Sequence, residues 1–308
     1  MSKLGSLSDP KEFPGLAHFL EHMLFMGTET NPNEDAYSEY LSTNNGYSNA
    51  YTDLEETNYY FSVDSTALNG ALDLFAGFFT CPLLKADGVY REMNAVNNEH
   101  QKNLQNDGWR LFQMLKDSSN PKYPFHNFGT GDLATLNKTG VREALVNFHQ
   151  TYYSANIMTL VIYGSEPIEA LSNYVYEKFG NIRNNNRKVP SWSPELPFPV
   201  QFKGRRRFII PVTDMNVVSL IWSLKSTQYD YLYDPIGYVT SFINNKMQGS
   251  LSSILYKKGY TIDISASVED NTDFALFQID IKLTPLGLKE VDIGISPKII
   301  IFYYYFIT

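Results

Sequence analysis

The chain has 308 residues, 43% of them hydrophobic and 19% charged, with a formal net charge of −8. That acidic balance excludes the basic face of a nucleic-acid binder, and the single cysteine, Cys81, excludes an internal disulfide. The length exceeds one ordinary core, so a domain of about 200 residues followed by a shorter one is expected.

The opening MSKLGSLSDP has neither the apolar stretch of a signal peptide nor an Arg-rich presequence. No run approaches the ~20 apolar residues of a membrane span. With one thiol in the chain, the expected compartment is reducing and cytoplasmic.

Residues 15–26 read as an amphipathic helix with Leu16, Phe19, Leu20, Met23 and Leu24 on its apolar side and Gly27 at its stop. A second helix is expected over 33–45. Alternation and Tyr/Thr content then predict two strands, 47–52 and 57–63. Residues 66–80 place Leu68, Leu72, Phe75 and Phe79 on one helical face, and Pro82 ends that helix. The longest helical pattern runs over 88–117, with Gly108 as its expected kink. A Pro/Gly loop covers 120–132, followed by a helix over 139–152, a buried strand over 157–164 and a helix over 166–179. The polar, proline-rich segment 184–204 reads as a linker between domains 1–183 and 205–308. Beyond it, strands are expected over 205–212, 215–224, 261–268 and 274–284, and helices over 234–245 and 249–259. Two cycles of strands and helices imply an α+β chain of two related sheet-plus-helix domains, the second incomplete.

Chemistry concentrates in GLAHFLEHMLF, residues 15–25. On a helix, residues four apart lie one turn apart on the same face. His18 and His22 can therefore point at one ion, as paired helical histidines do around zinc. Glu21 borders the same space, and H-x-x-E-H is the inverzincin pattern. A catalytic zinc site needs a third protein ligand and an open position. Glu92 and Glu99, two turns apart on the long helix, are both candidates; taken alone, each also fits a solvated helix face.

These stretches resemble the insulysin–pitrilysin family of zinc metallopeptidases, the inverzincins. The resemblance is carried by GSLSDP (5–10), GLAHFLEHMLFMGT (15–28), GYSNAYTDLEETNYYF (46–61), REMNAVNNEHQKNLQNDGWRLFQ (91–113) and NPKYPFHNFGTG (120–131). The family pattern sets about 76 residues between H-x-x-E-H and the third ligand. Here residues 23–98 intervene, so the resemblance selects Glu99 over Glu92. It implies that His18, His22 and Glu99 hold one Zn²⁺, that Glu21 is the general base, and that Glu92 supports the ligands. It also implies that Ser48, Asn49, Ala50, Tyr51 and Thr52 form a strand that pairs with the backbone of a peptide substrate.

The resemblance further implies strands ahead of GSLSDP and a second half that closes over the first and supplies an Arg and a Tyr; neither residue is assigned here. A complementary C-terminal half or a second copy of the chain is therefore an expected partner, beside peptides. The family pattern LT-x-x-GL-x-x-V starts at LTPLGLKEV and breaks into SPKIIIFYYYFIT, which implies a gene-model artefact over 294–308. The leading expectation is a zinc endopeptidase. Its competitors are a weakly active fragment that binds zinc and peptide, and a non-catalytic subunit of the same fold. The presence of all four motif residues favours the enzyme.

Overall fold

The computed structural model describes residues 1–192 and 194–290. The chain divides into two units, Met1–Glu195 and a second beginning at Leu196, so the boundary falls within segment 184–204.

The first unit contains α1 (Leu16–Leu24), α2 (Ala36–Thr43), β1 (Tyr47–Thr52), β2 (Thr57–Ser62), α3 (Leu68–Thr80), α4 (Ala86–Asn103), α5 (Asp107–Asp117), α6 (Leu133–Leu136), α7 (Val141–Tyr152) and α8 (Ile168–Phe179). Strands β1 and β2 form an antiparallel hairpin in which Thr52 faces Thr57 and Tyr47 faces Ser62. Helix α1 buries Leu16, Phe19, Leu20, Met23 and Leu24, the positions its periodicity marks as apolar. Helix α3 buries Leu68, Leu72, Phe75 and Phe79. Phe78, on the same helix, meets the rings of Phe25 and Tyr37 edge-on with centroids 5.0 Å apart. This aromatic core fixes α1 against α3 and the hairpin.

The start of α1 is sharply determined. Gly15 has φ +90°, and a Cβ there would lie 2.3 Å from the backbone of Gly131. Asp9, buried, accepts hydrogen bonds from the backbone N–H groups of Gly15 (2.7 Å) and Ala17 (2.8 Å). The carboxylate thus satisfies amides that have no partner within the helix. Burial pushes the Asp9 carboxyl up to about 7, against the lowering effect of those two amides and of Lys116.

The second unit contains β3 (Val217–Leu224), α9 (Pro235–Asn244), α10 (Leu251–Lys257), β4 (Thr261–Asp270), β5 (Ala275–Leu283) and α11 (Pro285–Glu290). Its sheet is antiparallel in the order β3-β5-β4. Ile264, Phe277, Ile279 and Ile281 line its core with Ile243 and Leu255. The α+β class is therefore correct.

Three expected elements differ. The helical pattern over 88–117 is two helices, α4 and α5. Its junction is Asn106 rather than Gly108: the Asn106 side chain accepts from Gly108 N–H (2.9 Å) and Trp109 N–H (3.2 Å), capping α5. Residues 157–164 do not form a buried strand. Ser2 bridges Met158, and Met1 exchanges hydrogen bonds with Thr159. Beyond that pair the segment finds no ladder partner among the described residues, and Val161 and Tyr163 are 82% and 97% exposed. Residues 205–212 likewise form no strand, with Phe208 and Ile210 exposed. An apolar run becomes a strand only where a neighbour accepts its hydrogen bonds. The break expected after LTPLGLKEV, and residues 294–308, lie outside the described residues. No helix among the described residues is long and apolar enough to cross a membrane.

Candidate metal centre and peptide cleft

Helix α1 presents His18 and His22 one turn apart, and α4 brings Glu99 to them across 76 residues of intervening chain. The two Nε2 atoms lie 3.3 Å apart. Glu99 Oε2 lies 3.6 Å from His18 Nε2 and 3.5 Å from His22 Nε2. Ligand atoms about 2.0–2.1 Å from a tetrahedral zinc would be separated by about 3.3–3.4 Å. The three donors therefore form a triangle of the size that one face of such a site requires.

The outer ring nitrogens set the tautomers. His18 Nδ1 lies 2.7 Å from the Thr130 carbonyl oxygen, which can only accept, so Nδ1 carries the proton. His22 Nδ1 lies 3.2 Å from Glu92 Oε2. In the neutral rings both Nε2 lone pairs are left facing Glu99. This is how outer partners orient metal-binding histidines. The donor set and its spacing fit a zinc ion.

Without a metal the same geometry favours a proton. Burial alone would lower the His22 imidazolium, but the hydrogen bonds to Glu92 and Glu99 and the Glu21 charge outweigh it and push His22 up to about 9. The hydrogen bond from His22 holds the Glu99 carboxyl below its ordinary range, against partial burial.

Glu21 is buried on the same helix, and its Oε2 accepts a 2.6 Å hydrogen bond from the Thr52 hydroxyl. Burial raises its carboxyl, while Thr52 and the two histidines oppose the rise. Glu21 does not belong to the donor triangle.

The triangle opens into a cleft of about 1000 Å³. Ser48, Asn49, Ala50, Tyr51 and Thr52 all line it, as do Trp109 and Phe112 of α5. Strand β1 pairs with β2 on one side and with no other strand among the described residues. Its second edge therefore has no strand partner among the described residues, which is the requirement for adding an extended peptide.

A family model described as insulinase, peptidase family M16, matches residues 3–122. A second, described as the peptidase M16 inactive domain, matches residues 141–292. The chain belongs to the insulinase family, peptidase family M16. Within this family it is 44% identical over 296 residues to the insulin-degrading enzyme of Mus musculus, covering 94% of this chain and 29% of that protein. It is 40% identical over 294 residues to the A-factor-processing enzyme of Saccharomyces cerevisiae, covering 93% and 28% of the two chains. The crystal structure of pitrilysin matches with a TM-score of 0.88 at 33% identity, covering 94% of this chain and 32% of that one. The chain thus spans less than a third of the length of these relatives.

Every residue singled out from the sequence reaches this one cleft. Two contributors escaped that reading. Thr130 acts through its backbone carbonyl, so no side chain could signal it. Asp9 sits in SLSDP, where an acidic residue shortly before a helix start was the available clue. The resemblance places Thr52 in a peptide-pairing strand, while its hydroxyl contact with Glu21 depends on tertiary packing.

Proposed function

We propose that this chain carries the zinc centre and peptide-binding strand of an endopeptidase that hydrolyses peptide bonds in extended, short to medium peptides. The observation that supports this best is the triangle of His18 Nε2, His22 Nε2 and Glu99 Oε2, 3.3–3.6 Å on its sides, with Glu21 beside it. Zinc, when bound, supplies Lewis-acid activation of a carbonyl and of water. His18, His22 and Glu99 would hold it, with His18 oriented by the Thr130 carbonyl and His22 by Glu92.

Glu21 is the general base. Burial raises its carboxyl, which strengthens it as a base. It takes a proton from the attacking water and returns one to the departing amine. The open edge of β1 holds the substrate by its main chain, so recognition is tolerant of side-chain identity. Trp109 and Phe112 offer apolar surface within the cleft.

A second reading stands beside it: the chain, which spans less than a third of the length of these relatives, binds zinc and peptide but turns over slowly. One experiment separates the two. The full chain is assayed for zinc stoichiometry and for cleavage of a quenched fluorescent peptide beside Glu21→Gln. Turnover abolished by the substitution with zinc retained supports the peptidase. Zinc and peptide binding without turnover supports the second reading, and absence of zinc contradicts both.

A further inference from the structure

We propose that Thr52 is a positioning residue whose hydroxyl fixes the Glu21 carboxylate, so that the strand that aligns the peptide also aligns the base. The inference deepens the peptidase reading and rests on it.

The bond is short. Thr52 Oγ1 donates to Glu21 Oε2 at 2.6 Å, in the range of a charge-assisted hydroxyl–carboxylate hydrogen bond. The partner on the next strand reinforces it. Thr57 directly faces Thr52 in the hairpin and is fully buried. Its hydroxyl donates to the Leu4 carbonyl oxygen at 3.0 Å, so its single proton is already engaged. Its 3.4 Å approach to Thr52 Oγ1 is therefore a packing contact, longer than a hydroxyl hydrogen bond. Both residues are β-branched, which leaves χ1 stiff. Leu4, Thr57 and Thr52 form a rigid stack ending on Glu21.

The consequence is an asymmetric carboxylate. Oε2 is held by Thr52, and Oε1 has no hydrogen-bond partner among the described residues. A base is effective only when the accepting oxygen is aimed at the proton it removes. The Thr52 backbone belongs to β1, so any shift of the strand also moves the hydroxyl that holds Glu21. Peptide register and base orientation are set by the same residue.

The test uses the full chain with Thr52→Val, which keeps shape and strand preference, and Thr52→Ser, which keeps the hydroxyl. Each is made with Glu21 and with Glu21→Ala. Both variants preserve the β1 backbone and hence its capacity to pair with a peptide. With Glu21 present, Thr52→Val should lower kcat roughly tenfold or more, with KM changed less than about twofold and zinc stoichiometry unaltered. Thr52→Ser should recover most of that loss. In urea unfolding, Thr52→Val should lower the midpoint with Glu21 present and leave it unchanged with Glu21→Ala. A Thr52→Val enzyme with unchanged kcat, or an equal midpoint loss in both backgrounds, would overturn the proposal. A wild-type chain that binds zinc but turns nothing over would instead contradict the peptidase reading, and the midpoint cycle would then decide the Thr52–Glu21 link by itself.

Discussion

Zinc affinity should depend steeply on pH, because the metal and a proton compete for His22. Glu92 and Glu99 hold the His22 imidazolium up to about 9. Zinc needs the neutral ring, so binding below that value expels a proton. The sign follows: lowering the pH fills Nε2 with a proton and weakens zinc. At pH 7, about two units below the His22 value, displacing the proton costs about 2.7 kcal/mol at ~1.36 kcal/mol per unit. For one such group the apparent affinity should fall about 25-fold between pH 8.5 and 7. Competition with a chromophoric chelator, calibrated at each pH, measures this directly. Calorimetry in two buffers of different ionisation enthalpy should report about one proton released per zinc at pH 7. Glu92→Gln replaces the carboxylate at Nδ1 with a neutral amide, so the break should move to lower pH while affinity at high pH falls about tenfold or more. Equal affinity at pH 7 and 8.5 with no proton released would show that zinc and a proton do not compete for His22.

Other consequences are equally specific. His22→Ala should abolish stoichiometric zinc binding measured by metal analysis after dialysis; full stoichiometry in the variant would show that the ligand set is wrong. Asp9 bears on stability. Its folded-state carboxyl is raised from 3.8 to about 7, so its contribution is complete below about 4 and is lost as pH rises through 7. The urea midpoint of the wild type should therefore fall relative to that of Asp9→Asn between pH 5 and 8, and a constant difference would contradict this. Phe78→Ala removes a buried ring that meets Phe25 and Tyr37, and should destabilise the first unit by about 3–5 kcal/mol in denaturant unfolding. A loss below about 1 kcal/mol would mean that the aromatic cluster does not organise the core.

What was legible in the sequence was mostly local. The i, i+4 spacing of His18 and His22 fixes their common face once the helix forms, and the alternation in 47–62 predicts the hairpin. The apolar positions of α1 and α3 follow from a 3.6-residue period. The third ligand was less accessible, because Glu92 and Glu99 share a helix face and residue chemistry alone leaves both open. Family spacing points to Glu99; in the structure Glu99 Oε2 lies within 3.6 Å of both Nε2 atoms, whereas Glu92 Oε2 lies 3.2 Å from the outer nitrogen of His22. Segments 157–164 and 205–212 misled because their apolar character resembles that of a strand, while strand formation depends on a neighbour that sequence does not display. Thr130 and the Asn106 cap share that limitation: their roles are backbone geometry.

The most direct measurement is anomalous diffraction at the zinc edge from crystals of the zinc-loaded full chain. One strong peak should lie about 2.0–2.2 Å from His18 Nε2, His22 Nε2 and a Glu99 carboxylate oxygen, with Glu21 outside the coordination sphere. A crystal with no peak there, or with zinc held by Glu92 in place of Glu99, would contradict this ligand set.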